Sequence, residues 1–280
     1  MANVFKRSSV VQAWLAGARY LAEQKSLDAT NIILEIETPQ KASLADRDVI
    51  STVTAALKSK NAKRSVMTAA GTIFPNTTYK HYGRPGWYEI YKSLIKRGKP
   101  KSDWGTYALR MIQRTDATGT IYNPLDKIIE KLKSRKAPNQ KAFKAAYELG
   151  VSDPSVDICA FDNGFGFDLP TYNPDTDRGD YMGLPCLSHV TFKLMDGKVD
   201  LTAIYRAHYY AERALGNLIG LAQLQNYVAI EAGYEPGVLT CISTYAKLDE
   251  GLGGITGARR LLNKLPEDEA ATEGFSAKKS

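Results

Sequence analysis

A cysteine sits behind a proline at Pro185-Cys186, an arginine follows twenty positions later at Arg206, and an asparagine eleven positions after that at Asn217. A cysteine attacks an electrophile only as its thiolate, and a free thiol has a pKa near ~8.5. A guanidinium nearby favours the thiolate and also binds a phosphate or carboxylate. An asparagine amide offers a donor and an acceptor to one edge of a heterocycle. Each residue alone has an ordinary reading: the cysteine as a small buried hydrophobe, the arginine as an ion-pair partner, and the asparagine as a helix cap. Their joint spacing turns them into a candidate site for attack on an anionic, ring-bearing ligand.

The elements that must position them read clearly. His189 to Leu194 alternates in polarity, Val199 to Tyr205 alternates again, and Asp196-Gly197 between them is a hairpin signal. Two antiparallel strands joined there bring Cys186 and Arg206 together. Leu215 to Ala232 is apolar nearly all round and predicts a central buried helix, with Asn217 at its head and Gly233 and Pro236-Gly237 at its end. Val238 to Lys247 reads as a further strand.

Upstream, residues 8–25 carry apolar side chains at helical spacing, and Asn31 to Ile36 reads as a strand. Ser43 before Asp46 suits a helix start, and Lys58 to Arg64 a solvated loop. Trp87 to Ile95 reads as a short helix. Tyr107 and Arg110 lie on a strand or short helix within Trp104 to Ile112. Asn123-Pro124 opens a helix that closes on Lys131, Lys133, Arg135 and Lys136, where the dipole favours cations. Asn139 to Leu149 fits either a strand or a helix. Asp153 to Asp180 reads as a loop holding one strand, VDICAF. The glycines from Gly251 to Gly257 make a turn before the basic helix ARRLLNKL. No repeat or domain break appears, so residues 1–265 read as one domain and 266–280 as a polar, disordered tail.

Composition narrows the function classes. The net charge of +7 is spread along the chain, and no finger, RNP-like or helix-turn-helix pattern accompanies it, which points away from nucleic acid. Three widely spaced cysteines, Cys159, Cys186 and Cys241, make neither a disulfide framework nor a zinc site. His81 and His208 stand isolated, His189 alternates with its strand, and no metal-ligand spacing exists. No run is long enough to cross a bilayer, and no clean signal-peptide core opens the chain, so a soluble cytoplasmic protein is expected.

The spacings of Cys186, Arg206 and Asn217, with the Leu215-Gly216 entry to a hydrophobic helix, resemble the thymidylate synthase family, which includes the pyrimidine nucleotide hydroxymethylases. The likeness covers roughly residues 104–249. Asn123 to Lys133 is similar to the family's helix before its phosphate-binding segment, and Tyr107 falls where the family has an active-site tyrosine. The resemblance implies an α+β fold, with a large mixed sheet packed by helices on one face and meeting a second copy on the other. It also implies a reaction. Cys186 adds to C6 of a pyrimidine nucleoside monophosphate, and C5 takes a one-carbon unit from 5,10-methylenetetrahydrofolate. Arg206 and Lys141 hold the 5′-phosphate, Lys141 reaching the neighbouring subunit, and Asn217 orients the base.

The departures are as specific. Ala207 stands for a serine, Tyr209 for the pterin-reading aspartate, and Leu187 for the histidine after the cysteine. Gln140 and Lys141 replace paired arginines, and Lys247, Leu248 and Asp249 replace the segment that holds the sugar hydroxyl. Glu89 is the candidate general acid. Asp249 as a ribose acceptor and the smaller Ala207 favour a 5-hydroxymethylase over ordinary methylation. The competing expectation is a nucleotide-binding or assembly subunit that has lost folate chemistry.

Overall fold

The computed structural model describes residues 2–98, 106–115, 118–135, 167–170 and 185–267. The chain opens with β1 (Asn3–Arg7), α1 (Val10–Glu23) and β2 (Asp28–Ile36), then four helices: α2 (Leu44–Lys60), α3 (Val66–Ile73), α4 (Asn76–Tyr82) and α5 (Gly86–Gly98). Next come α6 (Tyr107–Ile112), the small pair β3 (Arg114–Thr115) and β4 (Ile121–Tyr122), and α7 (Pro124–Ser134). β5 (Phe167–Pro170), β6 (Leu187–Met195), β7 (Lys198–Tyr205) and β8 (His208–Tyr209) lead into a π-turn, Tyr210–Ala214. The long α8 (Leu215–Ala232), β9 (Glu235–Lys247), a 3₁₀ turn at Glu250–Leu252 and α9 (Gly254–Leu262) complete the described chain.

One mixed sheet runs β1-β2-β9-β7-β6-β5, with β8 added alongside β9. Neighbours are parallel at β1/β2 and β7/β9 and antiparallel at β2/β9, β6/β7 and β5/β6. The hairpin expected at Asp196-Gly197 is present, with φ of 49° and 78°, the positive values that a tight two-residue turn between twisted strands requires. Alternation sorts the strand residues by face. Ile32, Leu34, Val199, Leu201, Ala203, Phe192, Leu239 and Cys241 point into the helix-covered core. Ile33, Thr202, Ile204, Thr240 and Ile242 face the other way and are only half-buried.

α2 and α7 begin where the sequence marks them, whereas α4 went unmarked and α9 starts at Gly254, within the glycine stretch read as a turn. Ser43 and Asp46 form a reciprocal capping box on α2, and Asn123 caps α7 with Pro124 in its first turn. Val66–Ile73 form α3, Trp104–Ile112 contributes α6, and residues 3–7, given no element by the sequence reading, form an edge strand. β5 falls inside the stretch expected to be loop. VDICAF, Cys159 and Asn139 to Leu149 lie outside the described residues, as does the tail beyond Glu267.

α8 is the spine that carries the site. Its Gly216 and Gly220 let α3 approach so closely that an added Cβ would stand 2.4 Å from the Val66 carbonyl and 2.7 Å from that of Ala70. Only glycine permits that contact. Gln225, fully buried in the same helix, donates from Nε2 to the carbonyls of Val199 (2.9 Å) and Val238 (3.0 Å), where the β7/β9 register shifts.

Candidate functional site

Cys186 stands at the entry to β6, half-buried, immediately before Leu187. Leu187 pairs with Tyr205 across the β6/β7 ladder, so the next residue, Arg206, arrives beside the cysteine as the hairpin spacing requires. The contact is doubly made: the Arg206 N–H donates to the Cys186 carbonyl (2.9 Å), and Arg206 Nε donates to the Pro185 carbonyl (3.0 Å). Thr244 on β9 braces this corner by donating to the carbonyls of Tyr205 and Arg206, each at 3.2 Å.

Tyr107 reaches the same corner from α6. Its hydroxyl oxygen accepts from the N–H groups of Cys186 (3.0 Å) and Leu187 (3.3 Å). The tyrosine therefore positions the backbone of the candidate nucleophile. The Tyr107 hydroxyl is held protonated, first by burial and then by the nearby Cys186.

Electrostatics around the thiol depart from expectation. Burial, the largest influence, raises the Cys186 pKa above its ordinary value, and the guanidinium groups of Arg206 and Arg213 oppose that rise without cancelling it. The free protein thus keeps this thiol protonated near neutrality. Arg213, on the π-turn, was not singled out by sequence; it is exposed and makes no ion pair among the described residues. A cation just ahead of the all-round apolar helix was the signal that would have found it.

Asn217 lies in the first turn of α8, 5 % exposed, and it is not a helix cap. Its Nδ2 lies 3.3 Å from Nε2 of His208, whose Nδ1 lies 3.0 Å from Ser243 Oγ. His208 is therefore not isolated. It is 1 % exposed and stacks on Tyr205 with ring centroids 3.9 Å apart and planes 1° from parallel. Tyr205 in turn opposes Leu187, so thiol, arginine and amide hang on one short stretch of β7 and β8.

Three expected residues behave otherwise. Asp249 does not stand free to meet a sugar. Its Oδ1 accepts from the N–H groups of Ala211 (2.8 Å) and Glu212 (3.3 Å), and its Oδ2 from Gly251 (3.2 Å). It pins the π-turn, and burial keeps its pKa above the usual carboxylate value despite those bonds. Lys247 is exposed at the end of β9, opposite Asp28 and Tyr209. Glu89 is exposed on α5 and paired with Lys92, away from the thiol's electrostatic neighbourhood. Of the Lys58–Arg64 stretch expected to be a solvated loop, Lys58–Lys60 form the last turn of α2, and Arg64 pairs with Glu212 of the π-turn. Gln140 and Lys141 lie outside the described residues. A cleft of about 490 Å³ opens between Glu37–Lys41 and the Met195–Lys198 turn, at the opposite end of β6 from Cys186, and takes no part in the site.

Among the described residues no group of three or more His, Cys, Asp or Glu is placed to hold a metal, and no helix is long and apolar enough to cross a membrane. No protein-family model matches the chain. Stretches of it are similar to archaeal proteins that carry the name "Putative thymidylate synthase". In Methanosarcina acetivorans the identity is 43 % over 63 residues, covering 22 % of this chain and 29 % of the relative. In Methanosarcina barkeri it is 40 % over 65 residues (23 % and 30 %), and in Methanothermobacter thermautotrophicus 36 % over 82 residues (29 % and 36 %). The match thus spans about a third of the length of the curated relatives.

Proposed function

We propose that the chain is a thymidylate synthase-like one-carbon transferase that activates a pyrimidine nucleoside monophosphate through Cys186. The observation that carries this reading is the double tether of Arg206 to the Pro185 and Cys186 carbonyls, which keeps the guanidinium near enough to the half-buried thiol to favour its charged form. The local similarity to archaeal proteins of that name supports it, as does a mixed sheet packed by helices.

Each residue has a task in the proposed chemistry. Arg206 binds the 5′-phosphate, with Lys141 as its expected helper, and Asn217 reads the base edge. Tyr107 fixes the Cys186 backbone. The substrate displaces water from the corner and leaves the Arg206 and Arg213 charges to favour the thiolate. The thiolate sulfur then bonds to C6, and the C5–C6 π electrons move to C5 and the C4 oxygen as an enolate. Protonation of C5 and loss of its original hydrogen as a proton, followed by departure of the thiolate, restores the ring. The half-buried sheet face that bears Ile33, Ile204 and Ile242 is where a second copy would dock.

The carbon donor implied by the resemblance, 5,10-methylenetetrahydrofolate, is a poorer match. Tyr209, 42 % exposed, stands where the pterin-reading carboxylate is expected. The nearby acids are engaged, Asp249 by backbone N–H groups and Glu212 by Arg64. The described residues do not fit the pterin in that way, and the chemistry they support stops at the activated C5. This disagreement favours a second reading, a nucleotide-binding subunit without folate chemistry. Within the enzyme reading, Ala207 beside Arg206 still favours hydroxymethylation over methylation by leaving room near the sugar.

Release of tritium from C5-labelled UMP, dUMP, CMP and dCMP tests both readings, with and without methylenetetrahydrofolate and with Cys186→Ala as control. Cys186-dependent release establishes the activation, and the product mass separates hydroxymethyl from methyl. Nucleotide binding without any release sinks the enzyme reading in favour of the binding subunit.

A further inference from the structure

We infer that His208 is a positioning residue that locks the Asn217 carboxamide in one orientation and thereby sets which pyrimidine, uracil or cytosine, the site accepts. The inference rests on the proposed reading of Asn217 as the base reader, and it deepens that reading by naming what decides its choice.

The bonding leaves little freedom. An amide nitrogen only donates, so with Asn217 Nδ2 facing His208 Nε2 at 3.3 Å, that ring nitrogen must accept. The ring proton then sits on Nδ1 and is donated to Ser243 Oγ at 3.0 Å. A neutral ring is needed, and burial holds the His208 pKa down to about 3. Parallel stacking on Tyr205 at 3.9 Å and the edge of Tyr210 at 5.3 Å stop the imidazole from turning. Asn217 Oδ1 has no hydrogen-bond partner among the described residues, so the acceptor side of the amide is left for a ligand.

Uracil presents N3–H and O4, a donor beside an acceptor. Cytosine presents N3 and an amino group, the reverse pair. An amide free to flip reads both, whereas one held by one Nδ2 hydrogen presents its Oδ1 and its second Nδ2 hydrogen in a fixed order and reads one. The mirror state, with the proton on Nε2 and Ser243 donating to Nδ1, would turn the amide over and reverse the choice. Ser243, on the core strand β9, thus takes part in base selection without meeting the nucleotide.

The test compares dissociation constants for uracil and cytosine nucleoside monophosphates in the parent, Ser243→Ala and His208→Phe. Phenylalanine keeps the stack but accepts no hydrogen bond. The parent is expected to discriminate by about tenfold or more, the worth of one well-placed hydrogen bond, and both variants to fall to within about threefold. The rate of Cys186 alkylation should stay unchanged, which a general loss of structure would not allow. Should His208→Phe fail to fold, Ser243→Ala and ¹⁵N shifts of the histidine rings decide, because they report the tautomer directly. Retained discrimination in the variants, or a proton found on Nε2, overturns this inference and leaves the proposed function standing. Failure of every nucleotide to bind overturns both.

Discussion

Replacing Tyr107 by phenylalanine removes one oxygen and leaves the ring. The effect reports chiefly on the bonds that the hydroxyl makes, among them those it accepts from Cys186 and Leu187. The buried Leu187 N–H loses its bond to the hydroxyl, which costs about 1–3 kcal/mol. The Cys186 N–H is only part-buried, and water replaces some of its loss, so its share lies at the lower end of the same range. Together the variant should be less stable by about 2–4 kcal/mol. Urea unfolding should show a lower midpoint with an unchanged slope, since the surface exposed on unfolding is the same. The Cys186 alkylation rate should also change, because the start of β6 is freed. A stability within about 0.5 kcal/mol of the parent, the range of an ordinary surface substitution, would refute the positioning role.

Four further outcomes are expected. Arg206→Gln should raise the Cys186 pKa further, so that the pH profile of iodoacetamide alkylation moves upward; an unmoved profile would mean that the guanidinium does not act on the thiol. Tyr205→Phe should stabilise by about 1 kcal/mol in thermal unfolding, because the buried hydroxyl has no hydrogen-bond partner among the described residues. Gly220→Ala should destabilise by about 1–3 kcal/mol through overpacking against Ala70 and Ile73, measured by the same method. His208 stays neutral down to about 3 in the folded chain but takes a proton near ~6.5 once unfolded, so stability should fall as pH drops through that window. The slope from this group reaches about 1.4 kcal/mol per pH unit, and His208→Phe should remove it.

Much of the site was legible because local rules governed it. The Asp196-Gly197 turn set the β6/β7 register, and that register placed Arg206 on Cys186. The all-round apolar pattern of Leu215 to Ala232 marked the buried helix, and the Asn123-Pro124 start marked α7. What escaped was non-local. Nothing near His208 shows that Ser243, thirty-five residues later, and Asn217 would bracket it, and an isolated histidine looks inert until the fold closes. Asp249 read as a ligand residue because its type suited a sugar, yet the π-turn's unpaired N–H groups claimed it first. The thiol's raised pKa is likewise a matter of burial, which spacing does not report.

The π-turn at Tyr210–Ala214 has a consequence for how this corner can evolve. A π-turn holds one residue more than the α-helical turn it resembles. Removing that residue would let the segment relax into continuous α-helix, and α8 would rotate by about 100° about its own axis. Asn217 would swing off His208, Gly216 and Gly220 would no longer face α3, and Gln225 would leave the β7/β9 carbonyls in a single step. The angular phase of the whole helix is therefore set by a one-residue spacer, held by the Asp249 carboxylate and by Trp14, whose indole N–H donates to the Tyr210 carbonyl at 2.9 Å. Substitutions along α8 can accumulate one by one, but a change in length at its head moves every contact together.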